Sequence, residues 1–116
     1  HPAAVNHDGA MLEYSRLNTM TIQAWAPFQY GFFDGVFLDN EKFPKLNATL
    51  DRIAEQHRVT NTAIASAWIL RHPAAMQVII GTMSPERIRD IAAASTLSLS
   101  REEWYEIYRA AGNVLP

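Results

Sequence analysis

The chain has 116 residues, 48% of them hydrophobic and 19% charged, with a formal net charge of −2 and no cysteine. Such a composition fits one soluble globular domain and gives no electrostatic reason to expect nucleic acid or a membrane surface as a partner. The lack of cysteine excludes disulfides, thiol catalysis and thiolate metal sites and is compatible with the cytoplasm, and no apolar run approaches the ~18 residues of a membrane span.

Residues 1–7, HPAAVNH, show no period and read as a lead-in loop. They carry no signal-peptide pattern, and His1 in place of Met hints that the gene begins further upstream. His1 and His7 lack a zinc-ligand spacing. Asp8-Gly9 can cap a helix over Ala10–Leu17, with Met11, Leu12 and Tyr14 as candidate buried side chains. Met20–Ala26 reads as a strand. Met20, Ile22 and Ala24 share one face, and Thr21, Gln23 and Trp25 share the other. Pro27 ends it, because proline removes a ladder donor. Taken by itself, Trp25 reads as a core or rim aromatic.

Phe28–Pro44 is a long loop holding Gly31, Gly35 and the bulky aromatics Phe28, Tyr30, Phe32, Phe33 and Phe37. So apolar a loop folds over a ligand or packs on the body with no ligand at all. Lys45–His57 is an amphipathic helix with Leu46, Leu50, Ile53, Ala54 and His57 at helical spacing. Thr60-Asn61-Thr62 opens a second helix, Ala63–Arg71, apolar nearly all round and therefore expected to be buried. His72-Pro73 ends it, with His72 as a contributor to its C-terminal cap.

The segment Gln77–Asp90, QVIIGTMSPERIRD, organises the rest. Val78, Ile79 and Ile80 are consecutive β-branched residues, as in a strand covered on both faces. Gly81 allows a sharp turn and a close ligand approach. Ser84 suits an N-cap, Pro85 the first helical position and Glu86 the positive end of the helix dipole. Ile88, Ile91 and Ala92 are the expected inward face of this helix. Free N–H groups at the helix start, with the Arg87 guanidinium, would suit a phosphate. An ordinary strand-to-helix corner with a solvated arginine fits the same residues. In the last helix, Ser100 and Glu103 form a capping box, Leu99 and Trp104 a hydrophobic staple, and Gly112 suits C′. Trp104, Ile107, Tyr108 and Ala111 make its apolar stripe.

Two strands separated by helices pair in parallel through a right-handed crossover. Left alone, such a pair has two open edges and little to bury against. The pattern therefore reads as part of a larger parallel sheet or barrel, or as a unit completed by identical copies through its exposed edges.

AWAPF at 24–28, AIASAWILRHP at 63–73, VIIGTMSPERIRD at 78–90 and LSREEW at 99–104 resemble, in order and spacing, the C-terminal portion of an aldo/keto reductase. The resemblance covers most of the chain from about Thr19 onward. It implies an α/β fold, the end of a (β/α)8 TIM-type barrel, with residues 1–18 leading into the seventh strand and 19–116 running from that strand through the eighth to the final helix. It implies an NADP(H)-dependent oxidoreductase acting on small carbonyl or alcohol substrates, with the cofactor at the carboxyl ends of the strands. Residue by residue, Trp25 corresponds to the aromatic that stacks on the nicotinamide, and Ala26, Phe28 and Gly31 to the loop along the pyrophosphate. Gly81, Thr82 and Met83 correspond to the turn holding the adenosine 2′-phosphate, and Arg87 and Asp90 to contacts at that phosphate and the adenine. Family members commonly have Ser and Leu where Ala26 and Phe28 stand, and many have Lys at the Gly81 position.

The family's catalytic tyrosine, lysine, aspartate and histidine come from earlier strands. Tyr14, Tyr30, Tyr105 and Tyr108, and His1, His7, His57 and His72, do not stand in the matching contexts. The chain is thus expected to hold cofactor-side residues, no catalytic set and no metal. Alternatives are a non-catalytic nucleotide-binding or regulatory subunit of the same fold, and a helical module whose apolar loop binds a protein.

Overall fold

Capping side chains open three of the five α-helices among the described residues. The computed structural model describes residues 9–115; the lead-in loop, His1, His7 and the capping role of Asp8 lie outside them. In chain order the elements are α1 (Ala10–Leu17), β1 (Ile22–Ala24), α2 (Pro44–His57), α3 (Asn61–Leu70), β2 (Met76–Val78), α4 (Pro85–Ala93), a 3-10 turn (Ala94–Thr96) and α5 (Arg101–Ala110). The Thr60 hydroxyl accepts from Ala63 N at the head of α3 (3.2 Å). Ser84 does the same for Arg87 N in α4. In α5 the Ser100 hydroxyl accepts from Glu103 N (3.1 Å) while Ser100 N donates back to the Glu103 carboxylate (2.7 Å). Gly112, with φ of 90°, takes the left-handed C′ position after α5.

The core lies among α2, α3, α5 and the 3-10 turn: Leu46, Leu50, Ile53, Ala54, Ile64, Ala67, Ala94, Leu99 and Ile107 form one buried cluster. Each fully buried Leu or Ile there contributes about 1.5–3 kcal/mol. Helix α3 buries Ala63 through Ala67, as its all-round apolar sequence requires, although Leu70 at its end is exposed. β1 and β2 pair in parallel, with Ile22 opposite Met76, Gln23 opposite Gln77 and Ala24 opposite Val78. The paired glutamines are joined side chain to side chain (3.1 Å).

Some expectations need correction. Met11 and Tyr14 are exposed, and Ser15 is the buried residue of α1; periodicity shows which side chains share a face, not whether anything covers it. β1 is shorter than the expected Met20–Ala26, and β2 stops at Val78, leaving out the expected strand residues Ile79 and Ile80. Ile79 and Ile80 are part-exposed rather than covered on both faces, since the sheet has two strands among the described residues. On α4, Ile91 is buried, but Ile88 and Ala92 point outward. Ala111, placed on the α5 stripe, is exposed at the helix end.

Candidate functional site

Because the two strands run parallel, their carboxyl ends face the same way, and the segments leaving them meet there. Ile79 N donates to Ala24 O (3.1 Å), extending the ladder one bond beyond the strands. Ala26 then takes φ of 48°, a left-handed conformation uncommon for a residue with a Cβ, and Pro27 carries the chain away. Between these exits lies a cavity of about 570 Å³. Ala26 and Phe28 line it from one side, Gly81, Thr82, Arg87 and Asp90 from the other, and Thr60, Asn61 and Thr62 at the head of α3 close the back. Six of the nine candidate residues thus share one space. Trp25 and Met83, 70% and 93% exposed, and Gly31 lie outside its lining.

The α4 side of the cavity is built to donate. Ser84 N donates to the Thr82 hydroxyl oxygen (3.2 Å), and Arg87 N donates to that of Ser84 (3.5 Å). Each hydroxyl therefore keeps its own hydrogen for an outside acceptor. The Arg87 guanidinium has no carboxylate partner among the described residues, and the helix dipole adds positive potential beside it. The lining also carries carboxylates, two of them on α4 itself. Glu86, Asp90 and Asp39 also face the space, and Asp39 is held by the Asn61 amide (2.7 Å). A ligand with both an anionic end and donor groups matches this mixture of donors and carboxylates. Gly81 is not needed for the turn: its φ is not left-handed, and an added Cβ would meet open space.

The aromatic loop forms a wall of the same cavity through Phe28, Gln29, Val36 and Leu38. It doubles back on itself, with an antiparallel bridge between Gln29 and Val36, Tyr30 N donating to Gly35 O (3.2 Å) and Phe37 N to Phe28 O (2.9 Å). Phe28 and Phe37 meet edge to face at 6.3 Å. Phe32 and Phe33 at the tip are exposed, Phe33 in a left-handed conformation with φ of 64°.

What holds the loop is Asn47, a residue the apolar period of α2 passes over. Its side chain is buried, its Nδ2 donates to Phe37 O (2.8 Å), Asn40 O (3.1 Å) and Phe43 O (3.1 Å), and its Oδ1 accepts from Asp39 N (2.9 Å). The signal was present in the sequence as one amide between Leu46 and Leu50 on an otherwise apolar face.

None of the four tyrosines lines the cavity. The Tyr30 hydroxyl accepts from Lys42 Nζ (3.0 Å), and that bond raises the lysine above its ordinary value. Tyr105 and Tyr108 pack around Trp104. His57 Nε2 lies 2.7 Å from the Glu103 carboxylate. His72 does not cap α3 through its side chain; its Nδ1 accepts from Ala74 N (3.1 Å), so it closes the turn that follows. Burial and the nearby Arg16 hold this imidazole below its usual range.

Residues 4–111 match the sequence model of the Aldo/keto reductase family. The chain is 37% identical over 107 residues to a 6-dehydroglucose reductase of Agrobacterium fabrum, covering 91% of this chain and 33% of that protein. It is 30% identical over 106 residues to a 6-dehydroglucose reductase of Novosphingobium aromaticivorans, covering 90% and 34%. Against the oxidoreductase YdhF of Escherichia coli it is 32% identical over 78 residues, 66% of this chain and 26% of that protein. The chain thus spans about a third of the length of these relatives. With a family match over nearly its whole length, the chain belongs to the aldo/keto reductase family.

Proposed function

We propose that this chain is the C-terminal, cofactor-holding part of an NADP(H)-dependent aldo/keto reductase acting on a small carbonyl or alcohol substrate. In this reading β1 and β2 are the seventh and eighth strands of a (β/α)8 barrel, residues 1–18 lead into the first of them, and residues 19–116 carry both strands to the final helix. The observation that carries the reading is the cavity shared by Ala26, Phe28, Gly81, Thr82, Arg87 and Asp90 at the carboxyl ends of two parallel strands. Two relatives are named for reduction of 6-dehydroglucose, which favours an oxidised sugar as the substrate class.

The residues present suit the phosphate end of such a cofactor. Arg87, the Thr82 and Ser84 hydroxyls and the head of α4 would hold a ribose phosphate, with Asp90 accepting from an amino group. Trp25, exposed just beyond β1, would offer its ring to the nicotinamide, and Gly31 and Met83 would border the cofactor outside the cavity. When bound, the cofactor supplies the hydride; the protein supplies orientation. The tyrosine, lysine, aspartate and histidine of proton transfer would come from the rest of the polypeptide.

Removing one charged, bidentate phosphate contact weakens binding by about tenfold or more. Arg87→Ala in the complete enzyme is therefore expected to raise the Kd for NADPH at least tenfold while changing that for NADH little, as read by calorimetry. Equal affinities of variant and wild type for NADPH would overturn the placement of the phosphate. The 116-residue chain alone is expected to show no reductase turnover, and wild-type turnover by a mass-verified 116-mer would refute that.

A further inference from the structure

The opposite end of the strand pair holds a second polar cavity, of about 470 Å³, lined by Arg16, Arg71, Arg101, His72 and the half-buried Trp104 among others, and by no carboxylate among the described residues. Arg16 ends α1 ahead of β1, and Arg71 and His72 end α3 ahead of β2, so this space sits at the amino ends of the strands. The cofactor corner described above sits at the carboxyl ends. Three of the ten basic residues of a chain with net charge −2 meet here.

Their charges are weakly compensated. Arg71 spends its Nε–H on Leu99 O (2.8 Å), which fixes the guanidinium in place but leaves its charge unpaired. Arg16 lies 3.5 Å from Glu13, an exposed pair worth little. Arg101 lies over the Tyr105 ring at 5.9 Å and has no carboxylate partner among the described residues. It is also the first residue of α5, where the helix dipole is positive. Three guanidinium groups around one cavity suit a multiply charged oxyanion, since each presents a planar fork to two oxygens. The volume is within the range that holds a small metabolite.

We propose that this cavity binds a small phosphate- or sulfate-bearing ligand through Arg16, Arg71 and Arg101, at a site separate from the cofactor corner. Burial first, and Arg16 second, hold the His72 imidazole at this cavity below its usual range.

The test uses the full polypeptide, inorganic phosphate and inorganic sulfate as probes, and saturating NADPH to fill the cofactor corner. Phosphate is expected to raise the melting temperature in a concentration-dependent way and to perturb tryptophan emission through Trp104, with NADPH present. Arg16→Gln and Arg101→Gln are chosen because neither residue makes a core contact, and each is expected to weaken phosphate binding about tenfold. Arg87→Gln is expected to leave it unchanged. A sulfate response equal to that of phosphate supports a general oxyanion site; a response to phosphate alone supports a phosphorylated ligand. The proposal is overturned if neither anion gives a response, if NADPH or Arg87→Gln abolishes it, or if the Arg16→Gln, Arg101→Gln double variant responds as wild type does.

Discussion

Single side chains account for much of the local order. Asn47 joins four points of the aromatic loop to α2, and its replacement by Ala would leave part-buried backbone groups without partners. That loss is expected to cost about 1–3 kcal/mol in urea unfolding. The helical period shows Asn47 only as a lone amide on an apolar face, because periodicity records where apolar residues fall and not what a polar group among them binds. Glu103 closes the α5 capping box and meets His57 across the helix pair. Burial pushes its carboxyl up, but the Ser100 amide and the His57 ring outweigh this, and its pKa falls below the ordinary 4.5. A lowered native pKa gives stabilisation that is present above pH 4.5 and lost as pH falls through the native value. The melting temperature of Glu103→Gln should therefore lie below wild type at neutral pH, the gap closing on acidification. His72 follows the same sign for a different reason: its neutral ring is favoured, so its contribution is present above pH 6.5 and lost below it. His72→Asn, which keeps an acceptor for Ala74 N, should flatten the melting profile between pH 6.5 and the lower native value.

At the scale of elements, α3 and α5 are joined by a reciprocal pair. Trp68 Nε1 donates to Trp104 O (3.0 Å) and Trp104 Nε1 donates to Trp68 O (2.9 Å), with the indoles stacked at 4.8 Å and 6°. The Trp68 carbonyl belongs to the last turn of α3, where no donor comes from within the helix. Trp104→Phe keeps an aromatic ring but strands that carbonyl, and about 1–3 kcal/mol of stability is expected to go with it, read by denaturant titration. Helix α1 is legible in the sequence to the residue and α2 to within one residue at its start, while Ser84 marks the start of α4 and Ser100, Glu103 and Gly112 mark both ends of α5. The strands were less so. A β-branched run such as Val78-Ile79-Ile80 shows a preference for extended backbone, but pairing ends at Ala24 and Val78, two residues before Ala26 turns left-handed. The choice of the six residues that share the cavity rests on the resemblance and not on physics; strand, turn and Arg87 alone favour an ordinary solvated corner.

At the scale of the molecule, the parallel pair leaves an outer edge on each strand unpaired among the described residues, with Met20, Ile79 and Ile80 exposed nearby. Open edges recruit further strands. The isolated 116-residue chain is expected to self-associate with rising concentration, and a monodisperse monomer in light scattering would count against it. The Asn47 latch has a further consequence for motion at the carboxyl end of the strands. It pins residues 37–43, so the part of the loop left to swing is a short finger ending in Phe32 and Phe33. Motion of the finger would then be local and fast, on the nanosecond-to-microsecond scale of loop motion, with the helices standing still. Relaxation measurements should find disorder confined to residues 31–35; slow exchange spread through α2 would contradict a hinge so narrowly placed.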